Sequence, residues 1–229
     1  GNVILTAAVT IDTSDAGAGV VDGTFDISGT VDGAFDLDII TDSAIAGIVG
    51  VIGGTTALAT LDINKTAGAT GAVTISNNIG TTTAAGVTGA LEIGNANTST
   101  LTLAGTVYNA NAATYTAVAG GDNISLTNAA GVTFTSSDDA ITFGTARILL
   151  ADGSDLVVNS AGGDISVVAI TGNTVEDVTL NAAAGNVTVG VIGAADGQIN
   201  DVTITGATIN LGGFITTDDD GAGEGGDVD

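Results

Sequence analysis

Val202-Thr203-Ile204-Thr205-Gly206-Ala207-Thr208-Ile209-Asn210-Leu211-Gly212-Gly213 alternates apolar and polar residues on either side of a glycine-containing break. Alternation with period two marks a strand with one buried face. The same texture recurs along the chain, in Phe25-x-Ile27, Leu37-x-Ile39, Leu61-x-Ile63, Val73-x-Ile75, Leu91-x-Ile93 and Leu101-x-Leu103. It continues through Ile124-x-Leu126, Val132-x-Phe134, Ile141-x-Phe143, Val178-x-Leu180 and Val187-x-Val189. The intervening residues are mostly Asp, Thr, Ser or Asn, and β-branched side chains fit a pleated surface. Gly, Asn and Asp break the pattern at short intervals, where they supply turn conformations. The Ala-rich pieces Ala57–Ala59 and Ala182–Ala184 are too brief for helices. The chain has no Pro, so every strand could be internal to a sheet.

Many short strands suit either tandem β-sandwich domains or a parallel β-solenoid. Sandwiches use hairpin turns such as Asn-Gly between matched strands. Asn-Gly does not occur here. A narrow core of Val, Ile, Leu, Ala and Thr with bends at Gly, Asn and Asp predicts an all-β parallel solenoid. Coils of about 20 residues spaced by about 4.8 Å would make a rod on the order of 50 Å long.

The chain also repeats itself. Gly50-Val51-Ile52-Gly53 recurs as Gly190-Val191-Ile192-Gly193. Val3, Leu5, Val9 and Ile11 correspond to Ile148, Leu150, Leu156 and Val158. Leu101–Val107 echoes Phe25–Val31. These echoes divide the chain into solenoid blocks 1–94, 95–138 (shortened) and 139–229, with no linker between them. Repetition implies a stacked architecture. The last block closes on Gly226-Asp227-Val228-Asp229, which reads on into Gly1-Asn2-Val3. One unit of a longer array, or a subunit that stacks head to tail with itself, is the expectation. Its assembly interface is expected at Val3, Leu5, Val9 and Ile11 at one end and Ile209, Leu211 and Val228 at the other.

Composition removes most chemistry. The chain has no His or Cys, and two basic residues, Lys65 and Arg147, against 26 acids. Without imidazole, thiolate or a supply of cations, no enzymatic activity is expected. A net charge of −24 opposes binding to nucleic acid and to anionic membranes. No apolar run is long enough to span a bilayer as a helix, and the aromatic girdles of a membrane barrel are missing. Residue 1 is Gly and no signal segment is visible, which reads as a processed chain or an excerpt.

Gly163-Asp164-Ile165-Ser166, Leu180–Val189 and Val202–Gly213 resemble the units of filamentous-haemagglutinin-like repeat adhesins. That resemblance implies an exported, right-handed parallel β-helix at the cell surface, serving as an adhesin stalk or fibre. The acidic, Lys-poor, Cys-free composition also resembles S-layer and calcium-binding nonapeptide-repeat proteins. Only fragments of the nonapeptide motif are present, Gly120-Gly121-Asp122 and Gly162-Gly163-Asp164. A calcium β-roll is therefore not expected over most of the chain.

Local candidates follow. Asp218, Asp219, Asp220, Glu224 and Asp227 sit close together among glycines, a density of carboxylates that suits calcium. The plain alternative is a solvated acidic loop. Asp12–Asp15 and Asp138-Asp139 are smaller candidates of the same kind. No other cofactor is indicated. Asn64-Lys65-Thr66, Asn97-Thr98-Ser99, Asn123-Ile124-Ser125 and Asn186-Val187-Thr188 fit the glycosylation sequon. Tyr108 and Tyr115 could form a ligand platform or cap a packed face. Lys65 and Arg147 could pair with acids across a subunit contact. A glycan-binding adhesin module, its receptor undetermined, and a calcium-dependent S-layer or matrix protein stand as alternatives to the fibre. An ice binder would need a regular Thr-x-Thr ladder, and Thr100-x-Thr102 and Thr114-x-Thr116 are isolated in sequence.

Overall fold

Val178-Thr179-Leu180 lies parallel to Val202-Thr203-Ile204, residue against residue, and the same relation repeats around and along the whole chain. The computed structural model describes residues 1–14, 22–66, 68–173, 176–193, 199–217 and 228–229. The described chain is all-β, with every strand pairing parallel, wound into a solenoid of about eight turns. No helix occurs among the described residues, and hence none long and apolar enough to cross a membrane.

Three faces build each turn. The first carries β1 (Val3–Ile4), β4 (Val31–Asp32), Ile52, Ile79 and the start of β11 (Val107–Thr116). It continues through β13 (Val132–Thr135), β16 (Leu156–Asn159), β18 (Val178–Asn181) and β20 (Val202–Thr205). The second carries β2 (Val9–Asp12), β5 (Leu37–Ile40), β7 (Leu61–Ile63), β9 (Val87–Ile93) and the end of β11. It continues through β14 (Ile141–Gly144) and the starts of β17 (Ile165–Thr171) and β19 (Asn186–Ile192), and finishes at β21 (Thr208–Leu211). The third carries β3 (Phe25–Ile27), β6 (Ala46–Ile48), β8 (Val73–Ile75), β10 (Leu101–Leu103), β12 (Ile124–Leu126) and β15 (Ile148–Leu150). The ends of β17 and β19, and then Ile215, extend that face.

The turns are longer and less regular than the sequence suggests. Partners one turn apart are separated by 21 residues at Asp22 and Ser43 and by 30 at Leu58 and Thr88. Eight turns at about 4.8 Å each make a rod about 40 Å long, shorter than expected because corner loops consume chain without adding height. The ladder runs unbroken across residues 94 and 138, through β9 with β11 and β11 with β14. Two of the three sequence echoes are out of phase with the coils. Ile52 lies on the first face and Ile192 on the third; Val9 lies on the second and Leu156 on the first. In both of these the later copy is turned by one face, so the echo repeats a strand-and-corner unit, whereas Leu101–Val107 keeps the faces of Phe25–Val31.

The inward residues form one continuous core. Ile27, Ile63, Ile75, Leu103 and Ile204 are buried in it, as the alternation predicts. Leu211 is not: it is 52% exposed, because no coil stacks beyond β21 among the described residues. Each fully buried Ile or Leu contributes about 1.5–3 kcal/mol. Midway along the rod the core is aromatic. Tyr108 stacks on Phe134 at 5.0 Å between ring centroids, Tyr115 stacks on Phe143 at 5.3 Å, and Phe134 meets Phe143 edge-on at 4.9 Å. Both pairs are register neighbours on successive turns. Tyr108 and Tyr115 are therefore core residues, not a ligand platform.

Corners are held by side chains that satisfy the backbone. Between the second and third faces, Asn64 takes a left-handed conformation with φ of 50°, which Asn tolerates. At the corresponding corner one turn on, Gly94 has φ of 75°, and a Cβ there would lie 2.2 Å from the Thr116 carbonyl oxygen, so only Gly fits. Between the first and second faces, Ser136 Oγ donates to the Ser160 carbonyl at 3.1 Å. Buried Glu176 accepts from Gly153 N at 2.9 Å and Asn173 N at 2.7 Å, so its carboxylate ties two turns together.

Candidate functional site

The assembly residues expected from sequence are gathered at two opposite ends of the rod. At the first coil, Val3, Leu5, Val9 and Ile11 surround an apolar recess of about 350 Å³, together with Phe25 and Leu37. These are inward positions of the first strand on each face and of the coil behind it, so the recess is the open end of the core. Ile4 beside it is 73% exposed. At the last coil, Ile209 and Leu211 on the second face are 44% and 52% exposed. Val228 pairs with Val202 on the first face and is 54% exposed, and Phe214 is 61% exposed. A soluble chain rarely leaves large apolar residues concentrated in this way without something to cover them.

Both ends also carry strand edges. Among the described residues, β2 pairs with β5 alone and β21 with β19 alone. Val9 N donates to Asp36 O at 2.9 Å, and Gly212 N donates to Val189 O at 2.7 Å. Free edges of this kind are templates for a further strand.

The sides of the rod are mostly polar and largely self-satisfied, with Phe35, Ile45, Val49, Val118 and Val168 as exposed apolar residues among them. Along the second face one outward column runs Thr10, Asp38, Asp62, Glu92, Thr114 and Thr142, and continues through Ser166, Thr188 and Asn210. Lys65 lies 3.2 Å from Asp62 and 2.5 Å from Glu92. The neighbouring carboxylates of Glu92 and Asp62 hold its ammonium above the usual lysine range. Asp38 has its carboxyl raised, first by desolvation and then by the neighbouring charges of Asp62 and Asp12, against the opposing pull of Lys65. Arg147 Nε lies 3.0 Å from Asp122, an ionic contact without hydrogen-bond alignment. Both cations thus pair within the chain, where the sequence suggested a subunit contact, because register brings acids from neighbouring turns beside them.

A groove of about 620 Å³ runs along the first face past Thr30, Asp32, Thr55, Asn78, Thr81 and Thr106. Its strongest hydrogen-bonding groups serve the backbone. Asp32 Oδ1 accepts from Thr55 N and Thr56 N at 2.8 and 3.0 Å, and Asn78 Oδ1 accepts from Thr106 N at 2.8 Å. No aromatic side chain lines it.

The carboxylates proposed for calcium, Asp218, Asp219, Asp220, Glu224 and Asp227, lie outside the described residues, as does Asp15. Of the sequon asparagines, Asn64 is buried and bonded to Thr41, so no glycan can be attached there in the folded chain. Asn97 and Asn186 are exposed. Sequence reasoning missed the column of Thr114, Thr142, Ser166 and Thr188, because its members are more than twenty residues apart in the chain and meet only through register. No protein-family model, curated protein or solved structure matches the chain.

Proposed function

We propose that the chain is a non-catalytic structural unit of an extracellular filament or giant surface adhesin, joined end to end with further solenoid coils. One observation carries the reading: the open, apolar coil around Val3, Leu5, Val9 and Ile11 faces one way, and the exposed coil of Ile209, Leu211 and Val228 faces the other. The fold supplies the mechanics. Parallel backbone ladders run the length of the rod, an uninterrupted apolar core fills it, and its outward Asp, Thr and Asn keep the sides solvated. A net charge of −24 discourages sideways association. A bond between unlike ends is heterologous and propagates as a filament unless rotation closes it.

Electron microscopy and sedimentation of the purified chain at rising concentration test the proposal. Rods with lengths in multiples of about 40 Å are expected. A monodisperse monomer at millimolar concentration and physiological salt would overturn end-to-end joining.

A further inference from the structure

The two ends match one another in residue spacing, hydrogen-bond polarity and charge, and we infer that copies join through β21 of one and β2 of the next, with Ile209 beside Val9, Asn210 beside Thr10 and Leu211 beside Ile11. The inference rests on the end-to-end reading above and adds its partner, a second copy of this chain, and its register.

Spacing comes first. Ile209 and Leu211 are the inward residues of β21, in register with Val187 and Val189. Val9 and Ile11 are the inward residues of β2, in register with Leu37 and Ile39. A copy placed in this register continues the core column, whereas a one-residue slip would turn Thr10 and Asp12 into it.

Hydrogen-bond polarity gives the same register. Alternate residues of a strand in a parallel ladder bond to opposite neighbours. Val9 N donates toward β5, so Val9 and Ile11 bond on that side, and the backbone groups of Thr10 and Asp12 point to the open edge. Gly212 N donates toward β19, so Thr208 and Asn210 bond on that side, and the backbone groups of Ile209 and Leu211 point to the open edge. The free groups on β21 are therefore those that the free groups on β2 need. Every strand runs parallel, so like ends would meet antiparallel and only unlike ends continue the ladder.

Charge is the third match. The acids of the second-face outward column, Asp38, Asp62 and Glu92, are interior to it, and the two members of that column that would meet across the junction, Thr10 and Asn210, are uncharged. Asp12 would stand opposite Gly212, and its Oδ1 already accepts from Ser14 N at 2.9 Å. The exposed Ile209 and Leu211 would enter the recess beside Val9 and Ile11.

The chain contains no cysteine, so introduced pairs report register directly. Register neighbours are about 4.8 Å apart, within the Cα range of a disulfide. In the full chain, Thr10→Cys with Asn210→Cys is oxidised and compared with Thr10→Cys with Thr208→Cys. Thr188→Cys with Asn210→Cys, neighbours within one chain, serves as the control for folding and geometry. The expected result is a ladder of covalent dimers, trimers and longer species for the first pair, at least about tenfold above the second, and an intrachain bond in the control. Filaments that cross-link equally in both pairs, or only through Thr208, would overturn the register and leave end-to-end joining standing. Monomers in sedimentation with no intermolecular bond in either pair would overturn both.

Discussion

Asn64 and Thr41 hydrogen-bond each other twice inside the wall of the rod: Thr41 N donates to Asn64 Oδ1 at 2.8 Å, and Asn64 Nδ2 donates to Thr41 Oγ1 at 2.9 Å. Both residues are buried. Each closes the corner between the second and third faces on its own turn, so the pair staples one turn to the next. Asn95 extends the staple by donating Nδ2 to the Asn64 carbonyl at 2.6 Å.

Asn64→Ala should therefore leave the buried Thr41 N–H without an acceptor and force Ala into a left-handed conformation. The expected loss is about 2–3 kcal/mol of unfolding free energy, measured by denaturant titration. Asn64→Gly restores the backbone freedom but not the hydrogen bonds, and should recover about 1 kcal/mol of that loss. Equal stability of all three chains would show that the staple contributes nothing.

The aromatic core offers two substitutions of opposite sign. Phe134 is buried between Tyr108, Tyr115 and Phe143. Phe134→Ala opens a cavity in the aromatic part of the core and should cost about 3–5 kcal/mol. Tyr115 Oη is buried with no hydrogen-bond partner, and burial pushes its hydroxyl well above the ordinary tyrosine value. Tyr115→Phe removes that orphaned group at nearly constant shape and should stabilise the chain by about 1 kcal/mol. A lower melting temperature for Tyr115→Phe would show that the hydroxyl has a partner in solution.

Asp38 makes the stability of the rod depend on pH. Its folded carboxyl is raised above the ordinary 3.8 by desolvation first and by Asp62 and Asp12 next. The folded chain then binds this proton more tightly than the unfolded chain. The cost is full above the raised value, shrinks as pH falls through it, and is gone below 3.8. Asp38→Asn should raise stability at pH 7 by less than about 1 kcal/mol, since the group is partly solvated. The gain should vanish as pH falls to that ordinary value. A constant difference between the two chains across this range would assign the effect to packing instead of charge.

The alternation of Val178-Thr179-Leu180 and its counterparts made strands, the buried face and a parallel solenoid legible in the sequence, because one buried face per strand leaves a period of two. What pairs with what was not legible. The strongest echo, Gly50–Gly53 with Gly190–Gly193, joins segments on different faces. Corner loops of unequal length hide the true coil repeat, such as Val132, Leu156, Val178 and Val202 on the first face. Pairing of Lys65 with Glu92 depends on that hidden register, and so could not be read from spacing. The exposure of Leu211 was also hidden, since an inward residue of the last coil has the same sequence pattern as one in the middle.

That exposure gives the sharpest test of end-to-end joining. Leu211 points toward the open end of the core and is half exposed in the single chain. Leu211→Glu should lower the unfolding free energy of the monomer by only about 1 kcal/mol, roughly half the value of a fully buried Leu, because half of the side chain is already in solvent. In a stack the same side chain would be sealed into an apolar recess, where an unpaired carboxylate is strongly disfavoured. Filament mass, followed by light scattering, should therefore fall at least about tenfold in the variant at matched concentration. Salt should act the other way on the unmodified chain. With a net charge of −24, two copies repel at distance. Raising ionic strength from about 0.01 M to 0.15 M shortens the screening length from about 30 Å to 8 Å, so stacking should strengthen while the apolar contact is unchanged. Equal scattering from Leu211→Glu and the unmodified chain, in filaments that still form, would place the joint elsewhere on the surface.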